Sequence, residues 1–231
     1  MNVATPTLLV TGASGHLGRA TLAHLLGTLQ IPASRIIATS RKPDTLADLA
    51  ARGVTVRAAD FDDPASLEVA FAGADRLLLV STDAWLEPGK RLQQHGAAVQ
   101  AAVAAGVKHV VYTSLPAAET SRVSFAPDHL GTEQALAASP LTWTVLRNAW
   151  YFENLLYTVP GALAAGEWFS AAGDGSIAYI ARDDLAHAAA VALAADDTRK
   201  QILTLTGTQA LGAREVAAAI SALTSRPLQV V

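Results

Sequence analysis

Residues 8–19, Leu8-Leu9-Val10-Thr11-Gly12-Ala13-Ser14-Gly15-His16-Leu17-Gly18-Arg19, run an apolar triplet straight into a turn holding three glycines. Apolar side chains then recur at Leu17, Ala20, Leu22, Leu25, Leu26 and Leu29, close to helical spacing. Strand, glycine turn and helix in that order leave few folds open. The glycines let the backbone turn tightly and come close to another group. The helix N-terminus aims unpaired N–H groups and a partial positive charge at whatever sits there. A dinucleotide pyrophosphate requires that combination. The glycines stand at 12, 15 and 18, a G-x-x-G-x-x-G spacing rather than G-x-G-x-x-G. What strengthens the reading is position, because this is the first βα junction of the chain. The alternative is an ordinary βα turn whose glycines serve only positive φ.

The neighbouring junction refines it. Arg35-Ile36-Ile37-Ala38-Thr39 reads as a second strand, followed by Ser40-Arg41-Lys42. A site for the unphosphorylated coenzyme places a carboxylate near here, for the ribose 2′-hydroxyl. A carboxylate would repel a 2′-phosphate, whereas a guanidinium bonds it bidentately. Arg41 therefore predicts NADPH, with Ser40 and Lys42 as helpers. A solvated basic turn before a helix start at Pro43-Asp44 is the alternative.

The chain then alternates. A short helix over Thr45–Ala51 precedes a third strand, Val54–Ala58, which ends at Asp60-Phe61, placed to bond and cover an adenine. Asp62 and Asp63 open a helix over Pro64–Phe71 as cap and first-turn carboxylates. Leu77–Val80 is a uniformly apolar strand, as buried parallel strands are. It ends at Ser81-Thr82-Asp83, on the carboxyl edge where ligands bind. A long helix over Glu87–Ala105 carries an alanine face, and His95 in it reads as a surface or boundary residue. Lys108–Thr113 is a fifth strand, 115–127 a loop suited to cover the edge, Asp128 an N-cap and Leu141–Leu146 a sixth strand. Repeated βα units imply right-handed crossovers and a parallel sheet. The expected class is α/β: a Rossmann-like doubly wound parallel sheet over residues 1–150, with a small C-terminal substrate lobe over 151–231 that returns one or two elements to the main sheet. In the lobe, Gly166–Ile180 reads as short strands about a Gly173-Asp174-Gly175 turn, Asp183 or Asp184 caps a helix to Ala195, and Ile202–Leu205 and Ala213–Leu223 are a further strand and helix.

Composition narrows the partners. The 231 residues are 51% hydrophobic and 16% charged, which suits a compact globule rather than a disordered chain. A net charge of −3 offers no electrostatic footprint for nucleic acid or an anionic membrane. With no cysteine, thiol nucleophiles, disulfides and thiolate metal sites are excluded. No signal peptide and no run long enough to span a membrane is visible, so a soluble cytoplasmic protein is the simplest expectation.

The segments TGASGHLG at 11–18, SRK at 40–42, YTSL at 112–115, DHLGTE at 128–133, LRNAWYFEN at 146–154 and AAGDGSIA at 171–178 resemble the NmrA-like group of atypical short-chain dehydrogenases/reductases. Within that group the pattern is most similar to the bacterial NAD(P)H:quinone oxidoreductases of type 2, with the triphenylmethane-dye reductases close by. The resemblance implies NADPH bound across the carboxyl edge and a hydride passed to a quinone-like acceptor. It maps coenzyme contacts onto Gly12, Ser14, Gly15, His16, Leu17, Gly18, Arg41, Ser81, Thr82 and the segment from Arg147 to Phe152. Asn148 and Tyr151 would border nicotinamide and acceptor. It implies no metal and leaves a homodimer open, and relatives continue several tens of residues beyond Val231.

One departure matters for chemistry. Ordinary members of the superfamily carry Tyr-x-x-x-Lys after the fifth strand; here that spacing holds His129 and Glu133. Reducing an aliphatic ketone needs a positioned acid. Hydride addition to a quinone leaves a phenolate-like anion of pKa about 10, which water or one weak donor can protonate. His129 is a candidate donor, with local capping as the alternative; Glu133 would pair with His129 or close a capping interaction. Tyr151, Phe152 and Trp150 would stack on the acceptor or be core aromatics. A second class remains open: a redox-sensing regulatory protein of the NmrA type that binds NADP(H) and catalyses nothing. Epimerase or dehydratase work on a nucleotide sugar is disfavoured, since such sites retain the tyrosine–lysine pair.

Overall fold

The computed structural model describes residues 5–84 and 86–231. Along the chain the elements are β1 (Leu8–Val10), α1 (His16–Ala23), β2 (Ile36–Ser40), α2 (Ala47–Ala51), β3 (Thr55–Ala58), α3 (Pro64–Phe71), β4 (Arg76–Leu79), α4 (Lys90–Ala104), β5 (His109–Ser114), α5 (Ala126–Ala138), β6 (Thr142–Asn148), α6 (Val159–Ala165), β7 (Glu167–Trp168), β8 (Ser176–Ile177), α7 (Arg182–Ala194), β9 (Gln201–Leu205), β10 (Leu211–Gly212), α8 (Ala213–Thr224) and β11 (Gln229–Val230). Seven strands form one sheet in the order β3-β2-β1-β4-β5-β6-β9, every pair parallel. From β1 the chain winds outward through β2 and β3, then crosses back to place β4 on the other side of β1. The carboxyl ends of β1 and β4 therefore flank the topological switch point.

Strand periodicity builds two cores. Leu9, Leu77, Leu79, Val110, Tyr112 and Val145 face one side, against Leu67 and Phe71 of α3, Ala98, Ala101 and Ala102 of α4, and Leu136 of α5. The intervening residues Leu8, Val10, Leu78, Val111 and Leu146 face the other, against Leu22 of α1, Leu49 of α2, and Ala189, Ala190 and Leu193 of α7. The alanine face predicted for α4 is what lets it lie close on the sheet.

Residues after 150 divide between two places. Helix α7 and strand β9 belong to the main sandwich, β9 pairing with β6 from Thr144 opposite Gln201 to Asn148 opposite Leu205. The rest, with α6 and α8, has its own small cluster of Ala162, Ala217 and Leu228. The expected strands about Gly173 exist but do not pair with each other: β7 pairs parallel with β11, and β8 antiparallel with β10. Two expected caps also move. Helix α5 begins at Ala126, with Asp128 inside its first turn; α7 begins at Arg182, with Asp183 and Asp184 inside it. Asp63 is the N-cap residue of α3, but its side chain makes no capping bond. Asp62 is drawn instead to Lys90 Nζ at 2.7 Å and Gln94 Nε2 at 3.0 Å. Among the described residues no helix is long and apolar enough to cross a membrane.

Arg76, on β4, fastens α7 to the sheet. Its buried guanidinium donates to the carbonyls of Leu193 (2.7 Å), Ala192 (3.2 Å) and Asp197 (3.1 Å), which the end of α7 and the turn after it leave open. We predict that Arg76→Leu lowers stability by about 3 kcal/mol, since buried carbonyls lose charged donors. Urea unfolding of the two proteins measures it; a loss under about 1 kcal/mol would contradict this account.

Candidate functional site

Two cavities share the carboxyl edge of the sheet. The first, about 230 Å3, lies at the switch point. Gly12, Ser14 and Gly15 line it from the first turn, Ser40 and Arg41 from the end of β2, Asp60 and Phe61 from the loop after β3, Ser81, Thr82 and Asp83 from the loop after β4, and Gln94 from α4. The glycine turn is clamped on both flanks. Ala13 N–H donates to Thr39 O at 3.0 Å, and Thr11 donates to Leu78 O through N–H and Oγ1, both at 3.0 Å. Helix α1 starts at His16 with no side-chain cap and no carboxylate in its first turn, so its leading N–H groups keep their positive potential. Arg41 is exposed at the rim, and beside it Ser14 Oγ and Ser40 Oγ lie 2.9 Å apart.

The second cavity, about 320 Å3, sits at the ends of β5, β6 and β9. Its walls are Leu115, Pro116, Val123 and Phe125 of the covering loop, Ala149 and Trp150 after β6, and Ile177, with Asn148, Ser121, Ser176, Ala178 and Thr206. None of these residues is charged. Asn148 is buried, and its Oδ1 has no hydrogen-bond partner among the described residues.

Behind both cavities runs a buried polar chain. Thr82 N–H donates to His95 Nε2 at 3.1 Å, so the His95 proton sits on Nδ1, facing Thr132 Oγ1 at 3.0 Å; Thr132 donates onward to Asp128 O at 2.7 Å. Arg91 donates to Thr82 O from Nε at 2.8 Å and to His129 Nε2 from Nη1 at 3.2 Å. That places the His129 proton on Nδ1, 2.7 Å from the Tyr112 hydroxyl oxygen. Burial, assisted by the Arg91 charge, lowers the His129 pKa to about 3, and burial holds His95 well below the ordinary histidine value. The expectation that His95 lies at the surface is corrected: it is fully buried.

The chain's relatives fit this geometry. A family described as NAD(P)H-binding matches residues 12–196. The chain belongs to the NAD(P)H-binding family. It is 42% identical to quinone oxidoreductase 2 of Escherichia coli over 93% of this chain and 73% of that protein. The solved structure of the E. coli NADPH-dependent quinone oxidoreductase complexed with NADPH superposes with a TM-score of 0.90 at 40% identity, over 97% of this chain and 77% of that one. The Citrobacter sp. triphenylmethane reductase complexed with NADP(H) matches equally well, at 0.90 and 34% identity, over 97% of this chain and 78% of that one.

The first cavity suits an NAD(P)H-binding protein on its own evidence. A Cβ at Gly18 would lie 2.4 Å from Gly12 O, so only glycine lets α1 start this close to the turn, and Gly12 itself has φ +59°. Thr82 Oγ1 and Gln94 Oε1 are buried at the cavity without a partner among the described residues, as groups awaiting a polar ligand are.

Other expected site residues fall elsewhere. His16 is exposed on α1, and the Leu17 side chain packs on Leu185 and Ala186, leaving only backbone to offer a phosphate. Tyr151 packs in that same cluster, with Arg182 5.4 Å from its ring centre, and lines neither cavity. Phe152 stacks on Tyr179 at 5.4 Å. The Arg147 guanidinium forks onto Glu133 (2.6 and 3.1 Å) and reaches Glu119 (2.5 Å), which raises its pKa further, while Ser114 Oγ donates to Glu133 at 2.6 Å. Glu133 thus pairs with Arg147 rather than His129. His129 has both ring nitrogens hydrogen-bonded, to Arg91 and Tyr112, and lines neither cavity. Gln94 and Arg91 entered no sequence expectation. The spacing Arg91, Gln94, Ala98, Ala101 was the available signal, a polar start to the buried face of α4.

The buried neutral histidines set an acid limit. Unfolded histidines titrate near pH 6.5, whereas burial keeps His129 neutral to about 3 and, with Arg76 adding to it, His109 to about 4. The unfolded chain therefore binds more protons in that window, and stability present above pH 6.5 is lost as the pH falls. The expected slope is about 1.4 kcal/mol per pH unit for each such histidine. Urea midpoints between pH 7.5 and 5 measure it; a flat profile would refute the neutral network.

Proposed function

We propose that this protein is an NADPH-dependent reductase of quinones or similarly conjugated acceptors. The observation that carries the reading is adjacency: a glycine cradle with unfilled polar groups and an uncharged apolar cavity open on one sheet edge, in a chain 42% identical to a quinone oxidoreductase. In this reading the α1 amides, Gly12 and Gly15 receive the pyrophosphate, Arg41 with Ser40 the 2′-phosphate, and Asp60 and Phe61 the adenine end. Ser81, Thr82 and Gln94 contact the middle of the molecule. NADPH, when bound, supplies the hydride.

The chain's own part is chiefly placement. Phe125, Trp150 and Leu115 hold a flat acceptor by its faces at near-attack distance. Asn148 orients the acceptor through its buried amide. Tyr151, whose pKa burial raises, stays a neutral phenol packed against Leu17, Leu185 and Ala186. The anion left on a reduced quinone is no more basic than a phenolate, so water entering at the open rim protonates it and no tyrosine–lysine acid is required. Residues after 150 contribute the outer wall of the acceptor cavity. The finer expectations of a cytoplasmic location and a homodimer rest on composition and family resemblance alone.

Benzoquinone added to protein and NADPH is expected to drive continuous loss of absorbance at 340 nm. Saturable NADPH binding with no acceptor-dependent oxidation would instead favour the sensor class. Arg41→Ala is expected to weaken NADPH by about tenfold or more while changing NADH little, because one charged phosphate contact is removed. Equal losses for both coenzymes would refute the 2′-phosphate assignment.

A further inference from the structure

Arg91 is a charged side chain with an unusual set of neighbours. It is buried at 5% exposure, yet among the described residues it forms no ion pair with a carboxylate. Its partners are a backbone carbonyl, a neutral imidazole and an aromatic ring, the Phe125 ring centre lying 5.0 Å from its guanidinium carbon. Asp128 and Asp83 act on Arg91 only at longer range, without direct contact. Burying a guanidinium with no paired carboxylate is costly, and a leucine or methionine would fill the space without that cost. What an apolar residue could not do is grip three things in three directions. Nε holds Thr82 O, in the wall of the first cavity. The guanidinium plane supports Phe125, in the wall of the second. Nη1 ties the group to His129, whose ring meets the same phenylalanine edge-on at 6.0 Å.

We infer that Arg91 is a positioning residue shared by the two cavities, setting the Thr82 backbone on one side and the Phe125 ring on the other, so that occupancy of one cavity alters affinity in the other. This rests on reading the cavities as coenzyme and acceptor sites. His95 completes the grip from behind by accepting from Thr82 N–H, so the residue is held at both its polar backbone atoms. Thr82 cannot shift toward a ligand without moving Arg91, and Arg91 cannot move without disturbing the face of Phe125. Coupling of this kind is reciprocal: whatever factor one ligand exerts on the other is returned.

NADP+ and 1,4-naphthoquinone test it without turnover, since that pair exchanges no hydride. Each Kd is measured alone and with the other at saturation, by quenching of tryptophan fluorescence, to which Trp150 in the acceptor wall contributes. The wild-type protein is expected to bind naphthoquinone roughly fivefold more tightly when NADP+ is present. Arg91→Lys keeps the charge but cannot span three partners; it is expected to raise the NADP+ Kd about tenfold and to abolish the coupling. Phe125→Leu should leave NADP+ binding alone unchanged and still abolish the coupling. A natively folded Arg91→Lys protein with wild-type NADP+ affinity overturns the inference. So does a wild-type coupling factor of one, or the absence of naphthoquinone uptake. Where Arg91→Lys fails to fold, Phe125→Leu decides: coupling kept in full overturns it, coupling lost supports it. The NADP+ titrations need no turnover, so a failure of NADPH oxidation would remove the reductase reading without deciding this one.

Discussion

The glycine turn depends on the close approach of Gly18, in the first turn of α1, to the carbonyl of Gly12, where a side-chain carbon would stand only 2.4 Å from the oxygen. That contact fixes where the helix begins relative to the turn. Because Thr11 is tied to β4 and Ala13 to β2, the turn cannot relax away. The open N–H groups of α1 therefore point into the switch-point crevice instead of at solvent. The other parts of the first cavity arrive by sheet order, since β2 and β4 are the two strands beside β1. Parallel pairing then brings their carboxyl ends, with Arg41 and with Ser81 and Thr82, to the same edge.

On this scaffold the chain places its charges unevenly. The second cavity has none, while just outside it two buried cations hold the walls. Arg147 draws Glu119 of the covering loop and Glu133 of α5 together at the end of β6. Arg91 joins the β4 loop to Phe125 with no carboxylate in direct contact, Asp128 and Asp83 acting on it only at longer range. The two devices differ in their physics. The first is a buried ion pair, whose rupture leaves an uncompensated charge. The second is a fork of directional bonds to neutral groups, valuable for geometry rather than for Coulomb energy. His95, His129, Tyr112 and Thr132 accompany it as a neutral chain in which the Thr82 N–H and Arg91 donors set both histidine tautomers. In a low-dielectric interior such a chain is rigid because every alternative leaves a group unpaired.

Much of this was legible along the sequence. The glycine turn, the apolar runs of β1, β4 and β5, and helix α3 from Pro64 to Phe71 follow from short-range chemistry: glycine permissiveness, β-branched and leucine-rich runs, proline at a helix start. The position of Arg41 at the rim of the first cavity was legible because it depends only on the tip of β2. His95, Glu133 and Arg147 were not, because their partners lie on other elements: Thr82 for the first, Ser114, Glu119 and each other for the rest. A histidine within a helix and an arginine after a strand carry no local mark of such partners. The cap assignments at Asp128, Asp183 and Asp184 failed for a related reason. Each helix starts two residues or less upstream, where tertiary packing sets the first turn, and the aspartates fall inside it.

The sequence by itself determined the class of fold, the place of the glycine turn and the position of the basic residue on the neighbouring strand, because each depends on short stretches of neighbouring residues. Only the tertiary structure decided which polar side chains are buried, which carboxylate holds which arginine, and that an uncharged cavity opens next to the glycine cradle. Those outcomes join residues as far apart as Leu115 and Thr206, brought together by strand order and parallel register, and no local pattern encodes such a pairing.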